Sequence, residues 1–132
     1  MRTTLFAHSR RDGLLVLLAL AQFGLLLHGV LTIGSVAWDV SLGTGLLSAF
    51  LICTNYMCIG HNFVHNAFFT NVRLNNAFAV LNSVLIGAPE TLHRLHHWQH
   101  HRYNNDAQDP VTGTTKDYTS TWRYGKSREE EG

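Results

Sequence analysis

The chain has 132 residues, a formal net charge of +1 and 14% charged residues, against roughly 25% in ordinary soluble domains. That length accommodates one ordinary domain at most, and the near-neutral balance gives no basic surface for a nucleic acid. The charge deficit is local: between Gly13 and Asn71 the sole charged residue is Asp39, a distribution that points to a membrane.

Residues 1–12 form a short polar tail with Arg2, Arg10 and Arg11. Residues 14–33, LLVLLALAQFGLLLHGVLTI, carry no formal charge. At about 1.5 Å per residue, such a helix spans roughly the 30 Å of a bilayer core. The run exceeds the ~7–15 residues of a signal-peptide core and lacks a clear small-residue cleavage site, so an uncleaved anchor is predicted. Gln22 and His28 interrupt it. Single polar residues in a span usually face a neighbouring helix, and His28 is not assigned as a ligand. Residues 34–41 read as a loop with Trp38 at the interface, and residues 42–60 as a second span. The two spans would make a helical hairpin. Arg2, Arg10 and Arg11 precede it, Arg73 follows it and the loop has no Lys or Arg, so the positive-inside rule puts both of its ends in the cytoplasm. Cys53 and Cys58 do not form a CxxC pair and read as buried small apolar residues, with no disulfide framework implied.

Chemistry-bearing residues begin where the second span ends. His61 and His65, in HNFVH, stand at i and i+4, which on a helix puts both rings on one side, a turn apart. Residues 61–72 close this first histidine segment. Residues 77–88, AFAVLNSVLIGA, are apolar but too short to span comfortably, as expected of an interfacial or re-entrant helix. Gly87 is a plausible stop, Pro89 a first-turn residue, and Glu90 favours the amino end of a new helix. That helix, in residues 89–110, holds five of the nine histidines: His93, His96, His97, His100 and His101. At about 100° per residue they point within roughly 140° of one another. Five imidazoles on one face exceed the needs of one tetrahedral zinc with an open position, so more than one transition-metal ion is the natural reading. A solvated or adventitious metal-binding tract is the competing reading of such a run, and a lone i, i+4 pair is more often structural; the two groups together favour metal. The run after the histidines breaks into a turn before Pro110. Asp106 and Asp109 serve that turn or orient ligating imidazoles from behind. Residues 111–132 form a polar tail. A zinc protease is disfavoured, because the first pair lacks the glutamate of HExxH.

Two spans, then HNFVH in the HxxxH pattern, then HWQHH in the HxxHH pattern followed by RYNNDAQDP, resemble the first two histidine boxes of the membrane fatty acid desaturase family. The resemblance runs from the first span through Pro110. It implies that His61 and His65 are the metal ligands of the first box and His97, His100 and His101 those of the second. His93 and His96 form an overlapping HxxHH with His97, so the ligating register stays open. The fold implied is all-α: an integral, multi-pass membrane protein with a transmembrane hairpin, a short interfacial helix and a cytoplasmic histidine-bearing helix. The chemistry implied is insertion of a double bond into a fatty acyl chain by a non-haem centre of two iron ions. O2 is the co-substrate, and a ferredoxin-like or cytochrome b5-like protein is the electron donor. A related hydroxylase or ketolase acting on a carotenoid, alkane or sphingolipid carries the same boxes, and a metal-binding remnant without catalysis is the reading from another class. Family members bear a third box and a further pair of spans; the chain is therefore expected to be the amino-terminal part of a desaturase. A compact chain without a fused cytochrome domain favours a bacterial inner membrane over the endoplasmic reticulum.

Overall fold

The computed structural model describes residues 4–103 and residue 111. Asp106 and Asp109 lie outside the described residues. The elements are α1 (Asp12–Thr32), α2 (Trp38–Thr54), a π-helical segment (Asn55–Gly60), α3 (His61–His65), α4 (Val72–Ile86) and α5 (Glu90–Tyr103). Among the described residues there is no strand, and the fold is all-helical as the sequence implies. The chain divides into two compact units, Met1–Glu90 and Thr91–Gly132.

In the first unit, α1 and α2 are joined by five residues, 33–37, and pack side by side as a hairpin. They approach closely at Gly29, where an added Cβ would lie 3.3 Å from the Thr44 methyl; small residues allow such approach between apolar helices. α1 and the longer helix that α2 begins, Trp38–His65, are each apolar enough to cross a membrane by length and composition. Within each, 11% of the most apolar stretch is buried, and Leu17, Leu31, Ile33, Leu46 and Phe50 are all exposed. An apolar surface of this extent is not tolerated in water but suits lipid.

The second long helix differs from its predicted bounds at both ends. It starts at Trp38, four residues before the expected span. Ala37 is extended at the N-cap, and Asp39 lies in the first turn, where its Oδ1 accepts from the Val40 N–H at 2.9 Å; an acidic side chain there complements the positive end of the helix. Nor does the helix stop before the first histidine pair. It continues through the π-helical segment to His65, giving one helix of 28 residues. Cys53 and Cys58 are exposed on it, contrary to the expected burial.

Buried apolar side chains gather at the histidine-bearing end of this helix. Ala19, Ile59, Phe63, Phe68, Phe78 and Leu85 form the core, with Phe6, Leu15, Val16 and Phe69 against it. The segment before α1 is more than a polar tail, since Phe6 and Phe69 form an isolated antiparallel bridge. Ala7 N–H donates to Phe68 O at 2.9 Å and Thr70 N–H to Leu5 O at 3.1 Å.

Asn71 caps α4, its Oδ1 accepting from the Arg73 N–H at 2.8 Å, as a side-chain oxygen does for an orphan donor of a first turn. Phe78, Asn82 and Leu85 are its buried face, at helical spacing. With 15 residues, or about 22 Å, α4 falls short of a bilayer core. It ends at Gly87, whose φ of 70° is left-handed, the conformation that glycine adopts without a Cβ penalty. Glu90, the first residue of α5, donates its N–H to Ser83 Oγ at 2.9 Å and accepts from Asn82 Nδ2 at 2.7 Å. In the second unit the described part of α5 runs on to Tyr103.

Candidate metal centre

The first histidine pair is set by the helix that carries it. His61 directly follows the π-helical segment and His65 ends α3. Their ring centroids lie 4.8 Å apart, as one helical turn dictates. Between them, Phe63 and Val64 face the other way and are 1% and 5% exposed. Phe63 meets Phe68 at 5.2 Å and Phe78 at 4.9 Å, both edge-on, the arrangement favoured by the ring quadrupole. The apolar side of HNFVH is thus seated in an aromatic cluster, and both histidines stay half-buried.

Behind this pair lie buried amides. Asn55, at the start of the π-helical segment, is fully buried and donates from Nδ2 to Gln22 Oε1 at 2.7 Å. Gln22 is 4% exposed and donates from Nε2 to Leu85 O at 3.1 Å. Gln22 faces its neighbours as a single polar residue in a span is expected to; His28 is exposed. Asn55, Asn82 and the buried carboxylate of Glu90 were not legible as a set. Their signal is an amide interrupting an otherwise apolar run, at 55 in LICTNYMCIG and at 82 in AVLNSVLIG.

The second group lies along α5. His93, His97 and His101 form an i, i+4, i+8 row. Ring centroids are 5.9 Å apart for His93 and His97 and 4.5 Å for His97 and His101. His100 flanks His101 at 6.0 Å. His96 is exposed and makes no ring contact among the described residues. Nε2 of His97 and Nε2 of His101 lie 2.9 Å apart. Two nitrogens bound to one first-row ion by bonds of about 2.1 Å, at a right angle, would be about 3.0 Å apart. The same spacing is an N–H···N hydrogen bond when one of the two nitrogens carries a proton. The donors of the His93, His97 and His101 row are imidazoles, a set that suits transition metals rather than magnesium or calcium. The residues present therefore fit a metal ion. A separate apolar cavity of about 220 Å³ lies between α1 and α2, lined by Leu26, Gly29, Val30, Ile33, Thr44 and Gly45 among others. It adjoins the connecting loop, roughly 25 Å along the helix from the first pair.

The profile of one family, fatty acid desaturase, matches residues 36–128. The chain belongs to the fatty acid desaturase family. The matched stretch contains both histidine groups and all of α2. No curated protein and no solved structure matches the chain. Membership makes the chain desaturase-like, and the family implies non-haem iron, a lipid substrate and membrane association. Together with the two apolar helices it points to a membrane protein.

Proposed function

We propose that the chain contributes the first two histidine boxes of a membrane desaturase, which introduces a double bond into a fatty acyl chain using O2 and a di-iron centre. The ligands in this reading are His61, His65, His97, His100 and His101. The observation that carries it is the pair of facing Nε2 atoms of His97 and His101, 2.9 Å apart inside a stretch that the desaturase profile covers. Of the two overlapping HxxHH registers, we assign the ligands to His97, His100 and His101, because His96 stands apart from the other rings. His93 adjoins His97 and supports its ring.

When bound, the iron ions supply O2 activation and the oxidising power needed to remove hydrogen from an unactivated methylene. The chain's own residues do the rest. Neutral imidazoles bind through one ring nitrogen, and whatever holds the other fixes tautomer and orientation. Asp106 and Asp109, outside the described residues, are proposed for that second task. Phe63 and its aromatic neighbours hold the first box rigid and exclude water from its apolar side. The exposed apolar faces of α1 and α2 keep the protein in a bilayer, in multi-pass topology with both ends of the hairpin cytoplasmic, where a ferredoxin-like or cytochrome b5-like donor has access.

The test is product analysis from membranes containing the protein, supplied with an acyl lipid, O2 and an electron donor. The expected product carries a new carbon–carbon double bond and is lost in His97→Ala. Hydroxylated product would move the assignment to a related hydroxylase. Iron-loaded protein giving no oxygen-dependent product would leave a metal-binding protein without catalysis.

A further inference from the structure

We propose that Gln22 and Asn55 are positioning residues: a buried amide clamp that fixes the rotation of the first histidine pair about the axis of its helix. The inference rests on the reading of His61 and His65 as metal ligands.

Three observations meet at this clamp. Both side chains are at least nine-tenths buried within apolar helices, where an amide costs free energy unless hydrogen-bonded. The bonds they form tie three elements together: Asn55 of the π-helical segment to Gln22 of α1 at 2.7 Å, and Gln22 to the Leu85 carbonyl in the last turn of α4 at 3.1 Å. A carbonyl of a last helical turn has no partner within its own helix, so Gln22 supplies a donor that α4 lacks. Pairing is incomplete, since Asn55 Oδ1 has no hydrogen-bond partner among the described residues. A site selected for packing alone would be served better by leucine.

The third observation is position. Asn55 is the first residue of the π-helical segment, and His61 is the first residue after it. A π-turn closes i to i+5 instead of i to i+4 and advances the chain by one extra residue, a rare departure that concentrates at functional sites. Relative to an uninterrupted α-helix, everything beyond it is rotated by on the order of 100°. Asn55, Ile59 and Phe63 are buried, while His61 and His65 are only half-buried. Without that rotation, the chain beyond residue 60 would present a different face to the aromatic cluster. Nothing local in NYMCIG demands a π-turn; the anchored Asn55 side chain holds it from outside the helix.

The experiment uses the full chain in detergent, with cobalt(II) as the probe and two metal-free readouts: helix content, and the ratio of maleimide labelling rates at the exposed native thiols Cys58 and Cys53. Cys53 precedes the π-helical segment and Cys58 lies within it, so the ratio reports register. Asn55→Leu and Gln22→Leu each remove the clamp from one side. The exchange Gln22→Asn with Asn55→Gln keeps the amide pair and its combined reach. The expected result is helix content within a tenth of wild type in both single variants, a labelling ratio shifted at least threefold, and cobalt affinity down at least tenfold with an altered absorption spectrum. The exchange variant recovers most of each. Wild-type affinity, spectrum and labelling ratio in Asn55→Leu would overturn the proposal. So would loss of helix content in both single variants, which would make the pair merely structural. If wild-type cobalt binding is indifferent to His61→Ala, the ligand reading fails instead, and the labelling ratio still decides whether the amides set the register.

Discussion

Replacing Phe63 by alanine tests whether the first box is seated on the aromatic cluster. Phe63 is 1% exposed and touches Phe68 and Phe78 edge-on at 5.2 and 4.9 Å. Truncating a buried phenylalanine costs about 3–5 kcal/mol, part transfer and part cavity, and each lost aromatic pair accounts for about 0.5–1.5 kcal/mol beyond the buried area. With two such pairs, about 1–3 kcal/mol of the loss belongs to ring geometry. Phe63→Leu keeps most of the apolar volume, so its cost is set mainly by the lost ring geometry, about 1–3 kcal/mol. The assay is unfolding of the detergent-solubilised protein followed by helix signal, with wild type, Phe63→Leu and Phe63→Ala compared under one condition. The order wild type, leucine, alanine is expected, with alanine at least about 3 kcal/mol below wild type. An alanine variant within about 1 kcal/mol of wild type would refute the reasoning, because a side chain with these contacts could not be lost so cheaply.

Gly87→Ala places a Cβ on a residue with φ of 70° and should destabilise by about 1–2 kcal/mol in the same unfolding assay, with Gly87→Asn milder. Glu90→Ala leaves the buried Nδ2 of Asn82 without its acceptor, at a cost of about 1–3 kcal/mol, whereas Glu90→Gln keeps an oxygen in place and should recover most of it. Asn71→Ala removes the cap of α4 and should cost about 1 kcal/mol.

Much of the helical skeleton was legible because its signals are local. Two long uncharged runs became α1 and α2, Gly87 took the left-handed conformation that ends α4, and the i, i+4 spacing brought the rings of His61 and His65 together. Within the second group, helical periodicity alone could not rank the registers; the structure adds that His93, His97, His100 and His101 make ring contacts along α5 while His96 is exposed. What the sequence hid depends on partners distant along the chain. The π-turn is anchored through Gln22, 33 residues away from Asn55, so no window around residues 55–60 could signal it. Polarity after Gly60 reads as the end of a span, yet the helix continues to His65, because HNFVH has helical spacing and an apolar side of its own. Phe6 sits in a segment whose composition reads as a tail, and its pairing with Phe69 packs it against the core. Cys53 and Cys58 look like core residues by type; both fall on sides of the helix that the described residues leave exposed.

The proposed function requires that the histidines hold iron. Its most direct test is the iron content of detergent-purified protein reconstituted under anaerobic conditions, measured for wild type and for His97→Ala and His101→Ala. Iron retained by the wild type and lost in both variants, with helix content unchanged, is the expected result. Iron retained equally by all three, or by none, would contradict it.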